Sequence, residues 1–288
     1  MNLSSATTLY AVIGNPIKHS LSPVMHNIAF KSLGINSVYL AFKVAPRNLE
    51  GAIIGMRSLG ILGFNVTVPH KVSVMQYLDN LDKQAIKIGA VNTVLNNDGV
   101  LTGYNTDGLG AIAALKKENV TLEGKNVVLL GAGGAAKALA SSISPFSANF
   151  TILNRNQSRA KHLASVLNEN LGCDVNWKKL TDANISLVLK DADILINATS
   201  VGMYPDIDST LVKRDQISRG MIVFDLVYNP LNTCLLREAQ AAHARVIGGL
   251  KMLVYQGVLA FELWTGRTPP VDKMVAAVEN VLKRENRQ

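Results

Sequence analysis

The sequence predicts an α/β protein built from two successive α/β units. Strand-like and helix-like apolar segments alternate along most of its 288 residues, which favours parallel sheets with crossover helices. In the stretch GKNVVLLGAGGAAKALA a buried strand runs directly into a glycine-rich turn and then a helix, which marks the start of the second unit. With 48% apolar and 17% charged residues, the chain has ample material for hydrophobic cores.

The first unit is predicted from the period of its apolar residues. In FNVTVPHK a strand ends at Pro69, because proline has no N–H to donate to a neighbouring strand. Asn-Asp-Gly at 97–99 is a hairpin signal and predicts that the strands on either side pair with each other. A helical region is expected before Val91. We expect strands at Leu9–Gly14, Val38–Lys43, Gly63–Val68, Val91–Asn96 and Val100–Tyr104, and helices at Pro23–Leu33, Leu49–Leu59 and from near Thr106 to near Asn119.

The second unit begins with a strand at Asn126–Leu130. Its later strand-like stretches are NFTILNR, DILINATS, MIVFDLVYNP and RVIGG, with helices predicted over Ser158–Leu171 and Thr233–Ala242. From Gly249 to Arg287 the pattern predicts two helices without a partner strand, which we expect to pack back onto both domains. We expect one domain at residues 1–104, to which helices in 249–288 return, and a second at residues 105–248.

Composition and charge indicate a soluble globular protein without a nucleic-acid partner. The net charge of +8 is interpreted as a solvated surface, because no basic motif with interleaved aromatic residues is present. Cys173 and Cys234 fit no metal-ligand spacing, so we predict a reducing compartment and no metal. The first residues lack a basic region followed by an apolar run, and no stretch approaches ~18 apolar residues. We therefore expect a cytoplasmic protein that does not associate with membranes.

The glycine-rich turn Gly131–Ala136 fits the pattern G-x-G-x-x-A between a strand and a helix. This arrangement lets backbone N–H groups approach a pyrophosphate at the positive end of the helix. The alternative is a tight turn without a ligand. At the end of the next strand, where an NAD-binding unit carries an acidic residue, the chain has Asn154 and Arg155, with Arg159 one turn later. Arginine suits a 2′-phosphate, so the pattern favours NADP(H) as the cofactor. The alternative is that the two arginines are surface residues that bind no ligand.

A second candidate anion site lies at the start of the first helix, in KHSLSPVMHN. Ser22 is predicted to be the N-cap and Pro23 the first helical residue. Ser20 and Ser22 could bind a carboxylate with their hydroxyls and nearby N–H groups, although a purely structural cap would explain Ser22 equally well. The three histidines His19, His26 and His70 have no metal-ligand spacing and are interpreted as structural or surface residues.

Three polar residues of the first unit are candidates for proton chemistry. Lys71 follows the strand that Pro69 ends, Asp107 falls in the first turn of a helix, and Asn92 lies near the start of a strand. A lysine and an aspartate brought together from such positions could move a proton at a hydroxyl or carbonyl while NADP(H) handles the hydride. The alternative for Lys71 is an exposed lysine after a turn, and for Asp107 a carboxylate favoured by the helix dipole.

Nine motifs occur in an order that resembles the shikimate dehydrogenase family, including its quinate/shikimate branch. The resemblance covers the chain from about residue 10 to 270, and the motifs read NPIKHSLSPVMHN, FNVTVPHK, GAVNT, GYNTDG, LLGAGGAA, ILNR, NATSVGM, VYNP and GGLKMLVYQG. The resemblance implies an N-terminal α/β substrate domain, a Rossmann-type doubly wound NADP-binding domain and a cleft between them. It also implies reversible reduction of 3-dehydroshikimate to shikimate with NADPH, a step toward chorismate and the aromatic amino acids.

The resemblance assigns roles to individual residues. The matching catalytic pair is Lys71 and Asp107. The residues that match substrate contacts are Ser20, Ser22, Thr67, Lys71, Asn92, Asp107, Tyr228 and Gln256. The residues that match cofactor contacts are Gly131, Ala132, Gly133, Gly134, Ala135, Asn154, Arg155, Arg159, Thr199, Leu226 and Gly249.

Two positions depart from the family pattern, and two alternative functions remain open. Asn156 stands where the family usually has threonine beside the 2′-phosphate, and Lys137 stands where many relatives have arginine. One alternative is a quinate-active dehydrogenase that also accepts NAD. The other is a ligand-binding regulator without catalysis, against which the intact pair of Lys71 and Asp107 argues. The expected partner is a small-molecule substrate, and the protein is expected to be a monomer or a homodimer.

Overall fold

The computed structural model describes residues 3–285, except for the side chain of the last of these. The chain forms two compact units. One contains the described residues up to Gly110 together with Val254–Val281, and the other contains Ala111–Leu253 and the described residues from Leu282. The part of the C-terminal prediction at residues 286–288 lies outside the described residues. The α/β fold class predicted from the sequence is confirmed.

The first unit is built on a sheet with the strand order β2-β1-β3-β5-β6-β4. Its strands are β1 Thr8–Gly14, β2 Ser37–Lys43, β3 Gly63–Val66, β4 Asn80–Leu81, β5 Thr93–Asn97 and β6 Val100–Tyr104. Its helices are α1 Ser22–Leu33, α2 Leu49–Ser58 and α3 Lys83–Ile88, and α4 Asp107–Lys117 begins in this unit. The two C-terminal helices are α9 Gly249–Thr265 and α10 Val271–Glu285, and most of both belongs here.

This sheet is mixed: it contains parallel pairs, as the alternation of strands and helices predicts, and also the antiparallel pair of the predicted hairpin. Strand β1 pairs in parallel with β2 and β3, whereas β5 pairs antiparallel with both β3 and β6. The predicted hairpin explains the pair of β5 and β6, because a two-residue loop can join only antiparallel strands. Asp98 and Gly99 form that loop with φ values of 49° and 89°, the left-handed conformation that such a turn requires.

An aromatic cluster forms part of the core of the first unit. The indole N–H of Trp264 donates to the carbonyl of Val94 at 3.0 Å and anchors α9 to β5. His26 of α1 is fully buried, and its ring stacks on Tyr39 at a centroid distance of 4.4 Å. Neither ring nitrogen of His26 has a hydrogen-bond partner among the described residues. Burial therefore lowers the pKa of His26 from 6.5 to about 3.

We expect His26 to make the protein sensitive to acid. The unfolded chain binds a proton at this histidine below about pH 6.5, whereas the folded protein does so only near pH 3, so stability falls as the pH is lowered through this interval. Each pH unit corresponds to about 1.4 kcal/mol, which gives a loss of roughly 2 kcal/mol between about pH 7 and pH 5. His26→Phe should abolish this part of the loss in urea unfolding measured at both pH values.

The exposed His162 provides the control for this measurement. His162→Gln should leave the pH dependence of the unfolding free energy as it is in the unchanged protein. An identical pH dependence in His26→Phe and the unchanged protein would contradict the prediction.

The second unit has a parallel sheet with the strand order β12-β11-β10-β7-β8-β9. Its strands are β7 Asn126–Leu130, β8 Asn149–Asn154, β9 Val175–Lys179, β10 Ile194–Asn197, β11 Ile222–Asp225 and β12 Arg245–Gly248. Its helices are α5 Gly134–Ile143, α6 Gln157–Leu171, α7 Asp182–Leu189 and α8 Cys234–Ala241. Counted within this unit the order is 6-5-4-1-2-3, which read from the other edge is the Rossmann order. The strand order reverses between β7 and β10, and ligands of such sheets bind beyond the carboxyl ends of the strands at this point.

Two elements of this unit, β9 and α7, had no counterpart in the sequence-based prediction. Strand β9 lies at the edge of the sheet and buries only Val175, so its sequence VNWKK carries no regular apolar alternation. Among residues 3–285, no helix combines the length and apolar character that crossing a membrane requires.

Candidate active site

Lys71 follows strand β3, which ends at Val66. The chain continues beside β1 for one further residue, because the N–H of Thr67 donates to the carbonyl of Ile13 at 3.0 Å. The backbone then turns at Pro69, and the carbonyl of Lys71 accepts a hydrogen bond from Val91 at 2.7 Å. Lys71 is thereby held at the carboxyl end of β3, close to the start of β5.

Lys71 and Asp107 form an ion pair in which Nζ lies 2.5 Å from Oδ2. The side chains are only 15% and 6% exposed, so water screens this pair much less than a surface pair. Asp107 is the first residue of α4, where the helix dipole favours a carboxylate, and its N–H donates to Oδ1 of Asn105 at 3.1 Å. The pairing predicted from the two motifs is therefore present in the geometry.

Asn92 holds the second oxygen of the Asp107 carboxylate. Its Nδ2 donates to Oδ1 of Asp107 at 2.8 Å and also lies 3.0 Å from Oγ1 of Thr106 and 3.4 Å from Oε1 of Gln256. The amide oxygen of Asn92 accepts from the N–H of Thr106 at 2.8 Å, which fixes the orientation of the amide. We call these five residues, Lys71, Asn92, Thr106, Asp107 and Gln256, the Lys71 cluster. Thr106 was absent from the sequence-based set, although it stands next to Asp107 in GYNTDG.

The start of helix α1 differs from the prediction. Leu21 is the N-cap, because its carbonyl already accepts from Val24 and Met25 at 3.1 and 3.2 Å, and its own side chain makes no capping hydrogen bond. The prediction that Ser22 is the N-cap and Pro23 the first helical residue is therefore wrong. Ser20 is half-buried, and its hydroxyl accepts a long hydrogen bond of 3.4 Å from the N–H of Ser22.

Tyr39 and Asn65 connect Ser22 to the Lys71 cluster, and sequence reasoning missed both. The phenol of Tyr39 hydrogen-bonds to the side chain of Ser22 and donates to Oδ1 of Asn65 at 2.6 Å. Asn65 in turn donates to the carbonyl of Asn92 at 3.1 Å. Burial holds the pKa of Tyr39 well above 10, so the phenol remains a donor at neutral pH. The sequence gives no signal for Tyr39, and Asn65 falls among the polar positions of the alternating stretch FNVTV, which predicts exposure and not the burial observed.

The glycine turn of the second unit has the geometry that a dinucleotide requires. Gly131 has a φ of 111°, and a Cβ atom there would lie 3.0 Å from the carbonyl oxygen of Ala198. Helix α5 begins at Gly134, and its N-cap Gly133 offers no side-chain acceptor, so the first N–H groups of the helix are without a side-chain cap. A pyrophosphate is the ligand that such a turn and helix start accommodate. Ala132 and Ala135 complete the turn.

The carboxyl end of β8 carries the candidate 2′-phosphate site. Arg155 and Arg159 are both exposed, one at the end of the strand and one in the first turn of α6. Asn156 is the N-cap of α6, with its Oδ1 accepting from the N–H of Arg159 at 3.2 Å, and Asn154 donates to the carbonyl of Asn156 at 3.0 Å. Asn156 therefore fixes the turn that carries both arginines, which gives this departure from the family pattern a structural role.

Three further residues that match cofactor contacts lie at the carboxyl ends of β10, β11 and β12. Thr199 donates to Oδ1 of Asn197 from both its N–H and its hydroxyl, at 3.1 and 2.7 Å. The N–H of Leu226 donates to the carbonyl of Asn197 at 2.9 Å. Gly249 packs so closely against the carbonyl of Leu226 that no side chain would fit there. The residues present thus fit a dinucleotide at the carboxyl edge of this sheet.

Tyr228 is the member of the predicted substrate set that belongs to the second unit. Burial raises the pKa of its phenol, so the group stays protonated at neutral pH. Within residues 3–285, the structure places no three or more His, Cys, Asp or Glu side chains together as a metal site.

Three family models match successive parts of the chain. The shikimate dehydrogenase substrate binding domain matches residues 12–94, shikimate / quinate 5-dehydrogenase matches residues 113–233, and the shikimate 5'-dehydrogenase C-terminal domain matches residues 249–279. A shikimate dehydrogenase (NADP(+)) of Methanopyrus kandleri is 49% identical over 281 residues, which cover 96% of this chain and 97% of that protein. The chain belongs to the shikimate dehydrogenase family.

Solved structures of shikimate dehydrogenases share this fold. One, in complex with NADP+, has a TM-score of 0.93 and 46% identity and covers 98% of each chain. The shikimate dehydrogenase of Thermus thermophilus, in complex with NADP(H) and shikimate, has a TM-score of 0.85 and 36% identity and covers 95% of this chain and 99% of that chain. The predicted family and its two-part fold, an N-terminal α/β substrate-binding domain and a Rossmann-type domain, are confirmed.

Proposed function

We propose that this chain is an NADP-dependent shikimate dehydrogenase, which catalyses the reversible reduction of 3-dehydroshikimate to shikimate on the route to chorismate and the aromatic amino acids. The observation that carries the proposal is the pair of Lys71 and Asp107. It joins an amine and a carboxylate at 2.5 Å in a nearly buried position, and both residues stand where the family has its catalytic pair. An acid–base pair and a dinucleotide turn in one chain suit the oxidation of an alcohol.

In this reaction the protein has to move one proton. Lys71 exchanges a proton through Nζ with the oxygen of the substrate that changes between hydroxyl and carbonyl. Asp107 keeps Nζ in place through Oδ2, and Asn92 keeps Asp107 in place through Oδ1. Because both carboxylate oxygens are engaged, the orientation of the pair is set before substrate arrives, which is the condition for an efficient proton transfer.

Bound NADP(H) supplies or accepts the hydride. The residues proposed to hold it lie in the glycine turn and at the carboxyl ends of four strands. They are Asn154, Arg155 and Arg159 after β8, Thr199 after β10, Leu226 after β11 and Gly249 after β12. The preference for NADP rests on the two exposed arginines, since guanidinium groups bind a 2′-phosphate through charge-assisted hydrogen bonds. Lys137, in the first turn of α5, takes the place of the usual arginine and supplies charge without a planar surface for stacking.

The proposed substrate contacts follow the same logic. Ser20 and Ser22 would hold the carboxylate at the start of α1. The remaining residues that match substrate contacts would bind the rest of the substrate, and they are Thr67, Lys71, Asn92, Asp107, Tyr228 and Gln256. We further propose that residues 1–104 with the helices in 249–288 form the substrate domain and residues 105–248 the cofactor domain. Activity in the cytoplasm completes the proposal, with a monomer or a homodimer as the assembly. The intact acid–base pair argues against the regulatory alternative. The arginine pair favours NADP over a quinate-active dehydrogenase that also accepts NAD, although it says little about quinate itself.

We expect Ser20→Ala to raise KM for shikimate with little change in kcat. A hydroxyl that binds the carboxylate does so equally in the ground and transition states, so its loss weakens binding without slowing the chemistry. The cost in stability should be small, because the hydroxyl accepts only one long hydrogen bond in the folded protein. Steady-state kinetics with varied shikimate measures the effect, and Ser73→Ala, which lacks a proposed contact, is the control. An unchanged KM would show that the carboxylate is held elsewhere.

The function itself is tested by one assay. Purified protein with shikimate and NADP+ should produce reduced cofactor, followed at about 340 nm, and 3-dehydroshikimate. Quinate with NAD+ in the same assay tests the broader specificity. Absence of turnover by a folded protein that still binds both ligands would favour a regulator and overturn the proposal.

A further inference from the structure

Asp225 is a buried carboxylate that the proposed chemistry does not use. It ends strand β11 and is fully inaccessible to solvent. Its Oδ1 accepts from Nδ2 of Asn197 at 2.9 Å and from the N–H of Val227 at 3.0 Å, and its Oδ2 accepts from the hydroxyl of Thr233 at 2.6 Å. Burial raises the pKa of Asp225, while the three donated hydrogen bonds favour the ionised form.

The three donors connect Asp225 to separate segments at one edge of the sheet. Asn197 ends β10, and its amide oxygen accepts both hydrogen bonds from Thr199. Val227 lies between Leu226 and Tyr228, so its N–H fixes the segment that leaves β11. Thr233 caps α8, because its hydroxyl also accepts from the N–H of Leu236 at 3.3 Å. One carboxylate therefore sets the relative positions of the Thr199 turn and the Leu226–Tyr228 segment.

Stability alone is a poor explanation for this arrangement. A carboxylate loses much of its hydration on burial, and replacing a buried charged group by a well-packed apolar one is often neutral or stabilising. What the charge adds is orientation, since an ionised carboxylate accepts several short hydrogen bonds in fixed directions. The segments it orients are the ones proposed above to contact the cofactor.

We infer that Asp225 is a positioning residue for the part of the dinucleotide site beyond β10 and β11. The inference rests on the proposed NADP site. It divides that site into a 2′-phosphate end and a nicotinamide end. Arg155 and Arg159 lie at the end of β8, three strands from β11, which corresponds to roughly 14 Å at the usual spacing between strands. Asp225 therefore acts on the nicotinamide end of the site and leaves the 2′-phosphate end unchanged.

The test compares whole cofactor with a fragment. Calorimetric titration of the full chain without substrate gives dissociation constants for NADP+ and for adenosine 2′,5′-bisphosphate, which has the 2′-phosphate but no nicotinamide. Asp225→Asn keeps the shape, but it removes the charge and replaces one of the two acceptor oxygens by an amide donor, which then faces at least one of the three donors. We expect the dissociation constant for NADP+ to rise by about tenfold or more, which is the effect of losing one charge-assisted hydrogen bond. The dissociation constant for the fragment should change by less than about twofold.

Asp193→Asn is the matched control. Asp193 belongs to the same sheet, but it precedes β10 at the amino edge, where it accepts from the N–H of Asn126 at 2.9 Å and pairs with Lys125. Its replacement should leave both dissociation constants unchanged. Equal weakening of NADP+ and the fragment by Asp225→Asn would indicate a general structural role and overturn the inference, as would unchanged binding of both. The unchanged protein separates failure of the inference from failure of the proposed function. If it binds NADP+ tightly, the proposed function stands even when the inference fails. If it does not bind NADP+ at all, the inference and the proposed function both fail.

A milder pair of variants covers the case in which Asp225→Asn does not fold. Thr233→Val removes one donor to Asp225 together with the cap of α8. Thr181→Val is its control, because it removes only a helix cap: the hydroxyl of Thr181 caps α7 by accepting from the N–H of Asn184, also at 3.3 Å. Only Thr233→Val should weaken the binding of NADP+ relative to the binding of the fragment, and Thr233→Ser, which keeps the hydroxyl, should bind NADP+ as the unchanged protein does. Identical ratios in the two valine variants would overturn the inference.

Discussion

Lys71→Ala is expected to lower kcat for shikimate oxidation by ~10²–10⁴-fold, the usual effect of removing a positioned acid–base group. KM should change far less, because the lost interaction develops mainly in the transition state. The variant leaves Asp107 nearly buried without its cation, but Asn92 still donates to that carboxylate, so the fold should persist. Steady-state kinetics with circular dichroism as a folding check measures the effect.

Lys125→Ala provides a matched control for this variant. Lys125 also pairs with an aspartate, Asp193, at 3.0 Å, but the two side chains are 41% and 37% exposed. Exposed pairs contribute little and this one has no proposed role, so kcat should remain at the unchanged value. Near-native kcat in Lys71→Ala would remove Lys71 from the mechanism.

Arg155→Ala is expected to erase most of the preference for NADP over NAD. Hydrogen bonds to charged groups contribute about 1.5–3 kcal/mol each, and about 1.4 kcal/mol is a factor of ten in affinity. Two arginines at the 2′-phosphate would therefore favour NADP by roughly a hundredfold, less the screening that exposed side chains experience in salt. The variant should lose efficiency with NADP and keep the same efficiency with NAD, as measured by kcat/KM with each cofactor.

The control for Arg155 is Arg219, an exposed arginine that precedes β11 at the amino edge of the same sheet. Arg219→Ala changes the net charge equally and should leave the cofactor preference unaltered. Comparable kcat/KM with NADP and NAD in the unchanged protein would contradict this prediction and place the protein nearer the quinate/shikimate branch.

The architecture of the second unit was readable from the sequence because its central strands are continuous apolar runs bounded by turn residues. Asn126–Leu130 was predicted to the residue, since it is buried on both faces and leads into glycines. Strand β9 was missed because an edge strand with one buried side chain has no apolar pattern. In the first unit, the hairpin signal at 97–99 predicts that β5 and β6 pair, whereas the antiparallel pairing of β5 with β3 has no local signal because the two strands are not joined by a short turn.

The candidate site divides in the same way. Lys71 and Asp107 could be proposed as a pair because each follows a turn or helix start with its own local signature. Tyr39 and Asn65 could not, because a hydrogen bond between β2 and β3 depends on β1 lying between them in the sheet. Leu21 is the N-cap although serine is the more common residue at this position, because the helix begins one residue earlier than the preference for serine predicts.

The discontinuity of the first unit has a consequence for how the protein is made. Gln256, Phe261 and Trp264, which complete its polar cluster and its aromatic core, belong to Val254–Val281. A ribosome reaches them only after synthesising Ala111–Leu253, which takes roughly 7–30 s at ~5–20 residues per second. During that time the second unit can fold while the N-terminal segment waits with part of its core uncovered. The unit that begins synthesis first therefore receives the last part of its core only after nearly all of the second unit has been made.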